Sequence, residues 1–265
     1  MLKSFLRGIV QNVVRIHSSC VIAYYKVKNT KKPRLFVYTD SRGYEISTIL
    51  TRKSHRKSFI HSLIKEYNCD VYICPEKHTT FIDFYDVLKS SGVKDYASII
   101  CLVGVVDFSP RRLSEISAIR EVKFPKLEQF SEVNYRSDWS ESYSVEYLGE
   151  NTASFLGFDG LKDIASLLLS YRNVIWISCN PVDLSWRGNY FRDRPKNINV
   201  VNDLSKEMIK ILAGHNGISI VDNTGWNLEE VRKYTCDNIH YSDEGMKLLG
   251  NKLKYIIDAN LKEIS

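Results

Sequence analysis

Short apolar runs recur along the chain, and each is rich in β-branched or aromatic residues. The five clearest runs are Leu35–Thr39, Val71–Cys74, Ile99–Gly104, Val174–Cys179 and Ile218–Val221. Runs of this length and composition are typical of buried strands. Between them lie segments with apolar residues at helical spacing, namely Phe81–Lys89, Gly160–Leu169 and Leu204–Leu212. Strands that alternate with helices predict right-handed crossovers and a parallel α/β sheet covered on both faces.

Residues 1–33 precede the first run and have a helical pattern of their own. One side of the predicted helix is apolar and comprises Leu2, Phe5, Leu6, Ile9, Val10, Val13, Ile16, Cys20 and Tyr24. The other side carries Lys3, Arg7, Gln11 and Arg15. We therefore predict a basic amphipathic helical arm and linker over residues 1–33. We expect the arm to pack on its own domain or on a second subunit, and contact with a membrane surface through residues 1–25 is the alternative.

Residues 34–265 are enough for one large domain with a proper core, since 44% of the chain is hydrophobic. Within this domain, residues 109–160 are long for a single connection. They begin with Ser109-Pro110, which predicts a Pro-led helix with Ser109 as its N-cap. A polar stretch that contains aromatic residues follows, and we interpret residues 109–160 as an insertion or lid near the functional site.

Basic residues are concentrated in the arm. Residues 1–39 contain eight lysines and arginines and no acidic residue, whereas the whole chain carries a net charge of +6. Residues 40–265 therefore carry a net charge of −2. Because the positive charge belongs to the arm, it does not indicate that the domain binds nucleic acid, and we predict no nucleic-acid partner.

The cysteines and the N-terminal residues indicate the cellular compartment. The six cysteines are Cys20, Cys69, Cys74, Cys101, Cys179 and Cys236. None forms a Cys-x-x-Cys pair, which favours reduced thiols over a disulfide framework or a zinc site. Polar residues interrupt the first part of the arm, so no signal peptide or membrane span is evident. We expect a cytoplasmic protein without metal or cofactor, and a peripheral position at the inner face of the membrane stays open.

The first apolar run ends abruptly in Asp40-Ser41, and a helical pattern follows over Tyr44–Lys65, with a break at Thr51–Lys57. Such a strand-to-helix turn puts Ser41 at a helix N-terminus. Unpaired N–H groups and the helix dipole there stabilise negative charge that develops near the hydroxyl. Taken alone, the Asp-Ser pair is explained more simply by an N-cap serine.

A partner for Ser41 occurs near the C-terminus, where Asp237-Asn238-Ile239-His240 precedes the helical run Met246–Ile257. Residues three apart in a turn are neighbours, so Asp237 can accept a hydrogen bond from one ring nitrogen of His240 and leave the other as a base. Loops that follow parallel strands open on one crevice. Serine, histidine and aspartate at that edge are the nucleophile, base and orienter of acyl transfer. A structural histidine is the alternative.

Three segments carry a family resemblance: Thr39-Asp40-Ser41, Gly104-Val105-Val106-Asp107 and Asp237-Asn238-Ile239-His240. They resemble the first, third and fifth conserved blocks of the SGNH (GDSL-like) hydrolases, in the same order. The resemblance implies a flavodoxin-like three-layer α/β/α sandwich whose five-stranded parallel sheet has the strand order 2-1-3-4-5. It also implies that Ser41 is the nucleophile and that Asp237 and His240 complete a catalytic triad.

The resemblance is incomplete at the oxyanion site. The family's third block carries an Asn donor where this chain has Val106, and its first block begins with Gly where this chain has Thr39. The family's second block supplies a Gly donor, which the region after the second strand lacks. Backbone N–H groups of Ser41, Lys77 and Val106 are then the expected donors. Loss of one donor costs on the order of 10²–10³ in rate.

Charged and aromatic residues near these motifs are candidates for substrate binding. An anionic substrate or a developing charge would attract Arg42, Arg111 and Arg112, unless they are solvated surface residues. Asp107 either anchors one of these arginines or satisfies backbone groups at its turn. The loop after the fourth strand carries Asn180, Trp186 and Arg187. This mixture suits stacking on and hydrogen bonding to a sugar, and an ordinary loop anchored by Trp186 is the alternative.

These features together predict a serine esterase that acts on a small acyl ester. The expected substrate is an O-acetylated carbohydrate, and the expected context is the biosynthesis of a surface polysaccharide. A sugar O-acyltransferase with the same triad is one alternative. A catalytically idle fold that binds a glycan or a partner protein is the other.

Overall fold

The computed structural model describes residues 2–46, 54–92, 96–127, 139–188 and 193–264. Its helices are α1 (Leu2–Lys28), α2 (Phe59–Glu66), α3 (Phe81–Ser90), α4 (Val105–Phe108), α5 (Leu113–Leu127), α6 (Phe158–Leu169), α7 (Val200–Leu212), α8 (Leu228–Tyr234) and α9 (Asp243–Ile264). Its strands are β1 (Arg34–Thr39), β2 (Asn68–Ile73), β3 (Ser98–Leu102), β4 (Arg111–Arg112), β5 (Glu141–Tyr147), β6 (Glu150–Ser154), β7 (Val174–Ile177) and β8 (Ile218–Val221).

The five strands expected from the apolar runs form one parallel sheet in the order β2-β1-β3-β7-β8. Numbered along the chain among themselves, these strands have the order 2-1-3-4-5, so the expected fold class is confirmed. The second strand begins at Asn68, earlier than expected, because residues 68–70 pair with the first half of β1. Because all neighbouring strands are parallel, the five strands end at the same edge of the sheet.

Alternate residues of each strand enter two separate cores, one on each face of the sheet. Phe36 and Tyr38 of β1 pack with α3, α6 and α7, whereas Leu35 and Val37 pack with α2 and α9. All four of these side chains are completely buried. This period of two is the geometry of a strand that is covered on both faces. The result is a three-layer α/β/α sandwich.

The helix expected over Tyr44–Lys65 is wrong in its first part. Ser41–Gly43 form a single 3₁₀ turn, after which the chain is extended and Glu45 pairs with Ser54. The expected break at Thr51–Lys57 lies partly outside the described residues. Helix α2 begins only at Phe59, after its N-cap Ser58, whose hydroxyl accepts a hydrogen bond from Ile60 N–H. Ser41 therefore starts a short turn rather than an α-helix.

Residues 109–160 contain a small antiparallel sheet of order β4-β6-β5 together with α5. The expected N-cap role of Ser109 is wrong, since Ser109 ends α4 and α5 starts at Leu113. The reason is that Arg111 and Arg112 pair with Ala153 and Thr152 of β6 and are extended. Long-range strand pairing has overridden the local signal for a Pro-led helix.

Helix α1 packs on the domain, but through the face opposite to its apolar side. Val21, Ile22 and Tyr25 contact the core between α2 and α9. Asn29 is buried and donates hydrogen bonds to the carbonyl groups of Ile64 (2.7 Å) and Tyr67 (3.1 Å). The apolar residues at positions 6, 9, 13 and 16 are exposed. Helix α1 therefore packs on its own domain, while the apolar residues at these four positions stay exposed.

Two further observations concern the described residues only. None of the six cysteines forms a disulfide bond. No described helix combines the length and the apolar character that are needed to cross a membrane.

Candidate active site

Ser41, His240 and Asp237 form a continuous chain of hydrogen bonds at the carboxyl edge of the main sheet. Ser41 Oγ lies 2.9 Å from His240 Nε2, and His240 Nδ1 lies 2.7 Å from Asp237 Oδ2. Ser41 follows β1, whereas the other two residues lie between α8 and α9. The fold has brought together residues that are 199 positions apart. Because the Asp237 carboxylate can only accept, His240 carries its proton on Nδ1, and Nε2 can accept the serine proton.

The Asp237 carboxylate organises the turn that carries His240. Its Oδ1 accepts hydrogen bonds from the backbone N–H groups of Ile239 (3.1 Å) and His240 (2.7 Å). Burial alone would raise the pKa of Asp237, but hydrogen bonds and charge interaction with His240, together with these N–H groups, lower it to about 2. The carboxylate is therefore ionised at neutral pH, where it can stabilise a protonated imidazole.

Asn238 fixes the same turn to the loop that follows β7. Its backbone has a φ of 73°, a conformation that Asn tolerates better than most residues. Its side chain donates to the carbonyl groups of Asp183 (3.2 Å) and Trp186 (2.9 Å) and accepts from Asp183 N–H (2.7 Å). Asn180 donates to the Asn238 carbonyl (2.9 Å). These bonds leave the histidine turn little freedom.

Gly188 permits the close approach of these two loops. Its φ is +61°, and a Cβ at this position would lie 2.5 Å from the Cys236 carbonyl oxygen. A backbone atom cannot yield in the way that a flexible side chain can. Only glycine therefore fits where the β7 loop passes the residue before Asp237.

The predicted role of Arg42 in binding a substrate or an oxyanion is wrong, because its side chain is completely buried and pairs with Asp40. Its Nε lies 3.0 and 3.1 Å from the two carboxylate oxygens, and Nη2 lies 2.9 Å from Oδ2. Burial lowers the pKa of Arg42, but the Asp40 charge outweighs this and raises it above its ordinary value. The pair instead holds the turn on which Ser41 stands.

Ser41 and His240 open into a cavity of about 290 Å³. The described residues that line it are Ser41, Val105, Val106, Ser109, Pro110, Arg111, Glu115, Tyr147, Leu148, Asp193, Arg194, Pro195, Ile198, Asp237, Ile239 and His240. The residues from Ser109 to Leu148 in this list belong to the segment 109–160, whose described part therefore forms one wall of the Ser41 cavity. Tyr147 Oη donates to the Asp193 carbonyl (2.7 Å) and ties the insertion to the β7 loop.

The expected oxyanion donors are differently placed. Val106 lines the cavity from the first turn of α4, where backbone N–H groups have no partner within the helix. Lys77 is exposed and is not among the described residues that line the cavity. Ser41 is the first residue of its 3₁₀ turn, so its backbone N–H lies at the start of that turn. Two of the three expected donors therefore lie at the cavity.

The predicted substrate-binding role of Asp107 is wrong. Of the two roles considered, the structure shows hydrogen bonding to the backbone. Asp107 is completely buried, and its Oδ1 accepts a hydrogen bond from Phe81 N–H (3.1 Å). Among the described residues, its Oδ2 has no hydrogen-bond partner. Burial, and then the nearby Asp83 charge, raise the pKa of Asp107 to about 8. The carboxyl group is thus protonated in the folded protein at neutral pH.

The remaining candidate residues divide between the cavity and its surroundings. Arg111 lines the cavity, whereas Arg112 lies outside its described lining and pairs with Glu115 (2.9 Å) and Glu150 (3.6 Å). Asn180 is buried in the support of the histidine turn, so its substrate-binding role is wrong. Trp186 and Arg187 line a second cavity of about 90 Å³.

Arg194 is a residue of this site that the sequence did not single out. It lines both cavities, and its Nη2 donates to the Asp237 carbonyl (3.1 Å). Glu115 and Tyr147 reach the larger cavity from the insertion. Only the high density of arginines after the fourth strand could have indicated Arg194, since nothing in the sequence relates it to His240.

Comparison with solved structures finds similarity to the lipase/acylhydrolase from Enterococcus faecalis. The two chains are 11% identical, with a TM-score of 0.49, over 87% of this chain and 96% of the other. No protein-family model and no curated protein sequence matches the chain. Similarity at this level assigns neither a family nor an activity.

We expect Arg42→Met to destabilise the fold strongly. The substitution leaves the Asp40 carboxylate buried without its cation, which costs about 3–5 kcal/mol. Urea denaturation measures the loss as a lower unfolding midpoint. Arg112→Met is the matched control, because it removes a more exposed arginine from an ion pair and should change the midpoint little. Equal midpoints for the two variants would contradict a stabilising Asp40–Arg42 pair.

We expect Asp107→Asn to change how stability depends on pH. In the unfolded chain an aspartate ionises near pH 4, whereas folded Asp107 keeps its proton until its pKa of about 8. Wild-type stability therefore contains a component that falls as pH rises between these values. The variant lacks it, so its stability relative to wild type should increase from about pH 5 to about pH 8 in urea denaturation. A constant difference would mean that folded Asp107 is ionised.

Proposed function

We propose that the protein is a serine ester hydrolase of the SGNH type, with Ser41 as nucleophile, His240 as general base and Asp237 as the residue that orients it. The observation that carries the proposal is the hydrogen-bond chain from Ser41 through His240 to Asp237 at the wall of a cavity. The order of the sheet and the three sequence blocks that resemble the SGNH hydrolases support it.

In the proposed reaction, His240 Nε2 accepts the proton of the Ser41 hydroxyl while Oγ attacks the ester carbonyl. Asp237 keeps the proton of His240 on Nδ1 and stabilises the imidazolium that forms. The imidazolium then gives its proton to the leaving alcohol, and an acyl-enzyme on Ser41 remains. Water, deprotonated by the same histidine, releases the acid and restores Ser41. A sugar hydroxyl in place of water would make the same enzyme an acyltransferase.

The oxyanion would be held mainly by backbone N–H groups of Ser41 and Val106. Val106 offers no side-chain donor, so the family's third donor is missing here. One missing donor lowers the rate by about 10²–10³ where this has been measured. Arg111 and Arg194 line the cavity, and their positive charge would attract an oxyanion or an anionic substrate. We therefore expect slow rather than absent turnover on activated esters.

The cavity favours a small acyl group on a polar alcohol. Its volume of about 290 Å³ is at the lower end of the usual range for ligand pockets. Arg111, Glu115 and Arg194 bring charges of both signs to its wall, and Tyr147 adds an aromatic ring. Such a lining suits the hydroxyl groups of a sugar better than a long aliphatic chain. An O-acetylated carbohydrate is therefore the proposed substrate class.

We expect Ser41→Ala to abolish labelling by a fluorophosphonate and to lower p-nitrophenyl acetate turnover by roughly 10⁴-fold or more. Asp237→Asn should lower turnover by about 10³–10⁴ because it leaves the wrong imidazole tautomer. Labelling is detected by mass spectrometry of the intact protein, and turnover by absorbance.

Ser109→Ala is the matched control, since Ser109 lines the same cavity and has no assigned role. It should keep both labelling and turnover. Identical behaviour of wild type and Ser41→Ala in both assays would contradict the proposed chemistry and favour a fold that only binds its ligand.

We expect kcat/KM on p-nitrophenyl esters to fall by at least about tenfold from acetate to octanoate, because the cavity lacks room for a long acyl chain. The enzyme should also release acetate from an O-acetylated monosaccharide, measured as free acetic acid. Equal or higher kcat/KM on octanoate would show that the acyl group is not small.

A further inference from the structure

Helix α1 presents a continuous apolar stripe that its own domain does not cover. Leu6, Ile9, Val13 and Ile16 are between 45% and 60% exposed, and Val27 is 76% exposed. Their spacing of three and four residues puts them on one side of the helix. An exposed row of this length is unusual on a protein surface and indicates an interaction site.

The domain occupies the opposite side of α1. Ser18 and Asn29 are buried there, and the Ser18 carbonyl lies 3.1 Å from His55 Nε2. Val21 and Tyr25 pack on the core from the same side. Because α1 is fixed to the domain through this face, the apolar stripe points outward, and a flat surface can approach it.

Positive charge occurs on the same helix and in a cavity beside the stripe. Residues 1–39 contain eight basic residues and no acidic one, so α1 itself carries no negative charge. A cavity of about 520 Å³ lies beside the stripe, between α1 and residues 54–65. His17, Tyr24, Arg56 and Lys65 are among the residues that line it, and its described lining includes no acidic residue.

His61 lies in the same cavity, close to two of these basic residues. Burial, followed by the charges of Lys65, His55 and Arg56, lowers the pKa of His61 to about 4. Such a site disfavours another cation and favours an anion. An apolar row beside a basic cavity suits the boundary between acyl chains and phosphate headgroups.

We propose that α1 docks the protein on an anionic membrane surface, with its outward apolar stripe at the acyl-chain boundary and the adjacent basic cavity at lipid phosphates. The proposal goes beyond the esterase function and is independent of it. A second copy of the chain fits less well, because pairing two α1 helices along the stripe would bring together two basic helices without an acidic partner.

Vesicle flotation with the full-length chain tests the proposal. We expect binding to vesicles of phosphatidylcholine and phosphatidylglycerol in roughly a 2:1 ratio, and at least about tenfold weaker binding to phosphatidylcholine alone. Binding should weaken as salt is raised, because the Debye length falls. Equal binding to both vesicles, or binding to neither, would overturn the proposal.

Two double variants separate the stripe from the charge. Val13→Asn with Ile16→Asn should weaken binding by about tenfold or more, because it removes exposed apolar surface. Arg56→Gln with Lys65→Gln should weaken it by roughly fivefold per charge. Asn12→Ser with Ser19→Asn is the matched control on the same helix, at two exposed positions outside the stripe, and should bind like wild type.

Circular dichroism and urea denaturation check that each variant is folded. Because both double variants change solvent-accessible side chains, both should unfold like wild type.

Sedimentation velocity without lipid tests the competing partner, a second copy of the chain. Wild type that dimerises, loses the dimer in Val13→Asn with Ile16→Asn, and does not bind vesicles would overturn the proposal and assign the stripe to a second copy. Unchanged vesicle binding by both double variants would also overturn it.

Discussion

The buried ion pair between Asp40 and Arg42 is the interaction on which the candidate site depends. Three guanidinium contacts of 2.9–3.1 Å satisfy a carboxylate that is itself almost completely buried. Two charges removed from water in this way are tolerated only with such geometry. Asp40 N–H donates to the Leu102 carbonyl (2.8 Å), and Arg42 Nη1 contacts the Ser178 carbonyl (3.4 Å). The turn at Ser41 is thereby attached to the ends of β1, β3 and β7.

The histidine turn is held with comparable rigidity, but by amides rather than by a buried ion pair. The Asn238 side chain donates to the Asp183 carbonyl and accepts a hydrogen bond from Asp183 N–H. Asn180 donates to the Asn238 carbonyl. Arg232 of α8 pairs with Asp183 at 2.6 Å. A serine and a histidine from distant segments meet at 2.9 Å because each stands on a supported turn. Chains of satisfied polar groups of this kind specify one arrangement.

The distribution of charge separates two parts of the molecule. The cavity of Ser41 is lined by residues of both charges, among them Arg111, Arg194 and Glu115. Along α1, and in the described lining of the cavity beside it, all charged residues are basic. The first arrangement fits the small polar substrate that we propose for this site. The second fits the anionic membrane surface that we propose for it, which needs no geometric precision, since long-range charge and apolar area act without direction.

The sequence by itself determined the five strands of the main sheet, because buried parallel strands are apolar on both faces and leave a clear local pattern. It also indicated the contact of Asp237 with His240, since their spacing of three is a local property of a turn. Only tertiary structure decided the environment of Arg42, Asp107 and Asn180, whose burial depends on what packs over them. The same holds for Arg194 and for the strand at Arg111, where distant segments override local preference. Helical periodicity shows which residues of α1 share a face, but not which face the domain covers. That the apolar stripe points away from the domain was therefore decided by the tertiary structure alone.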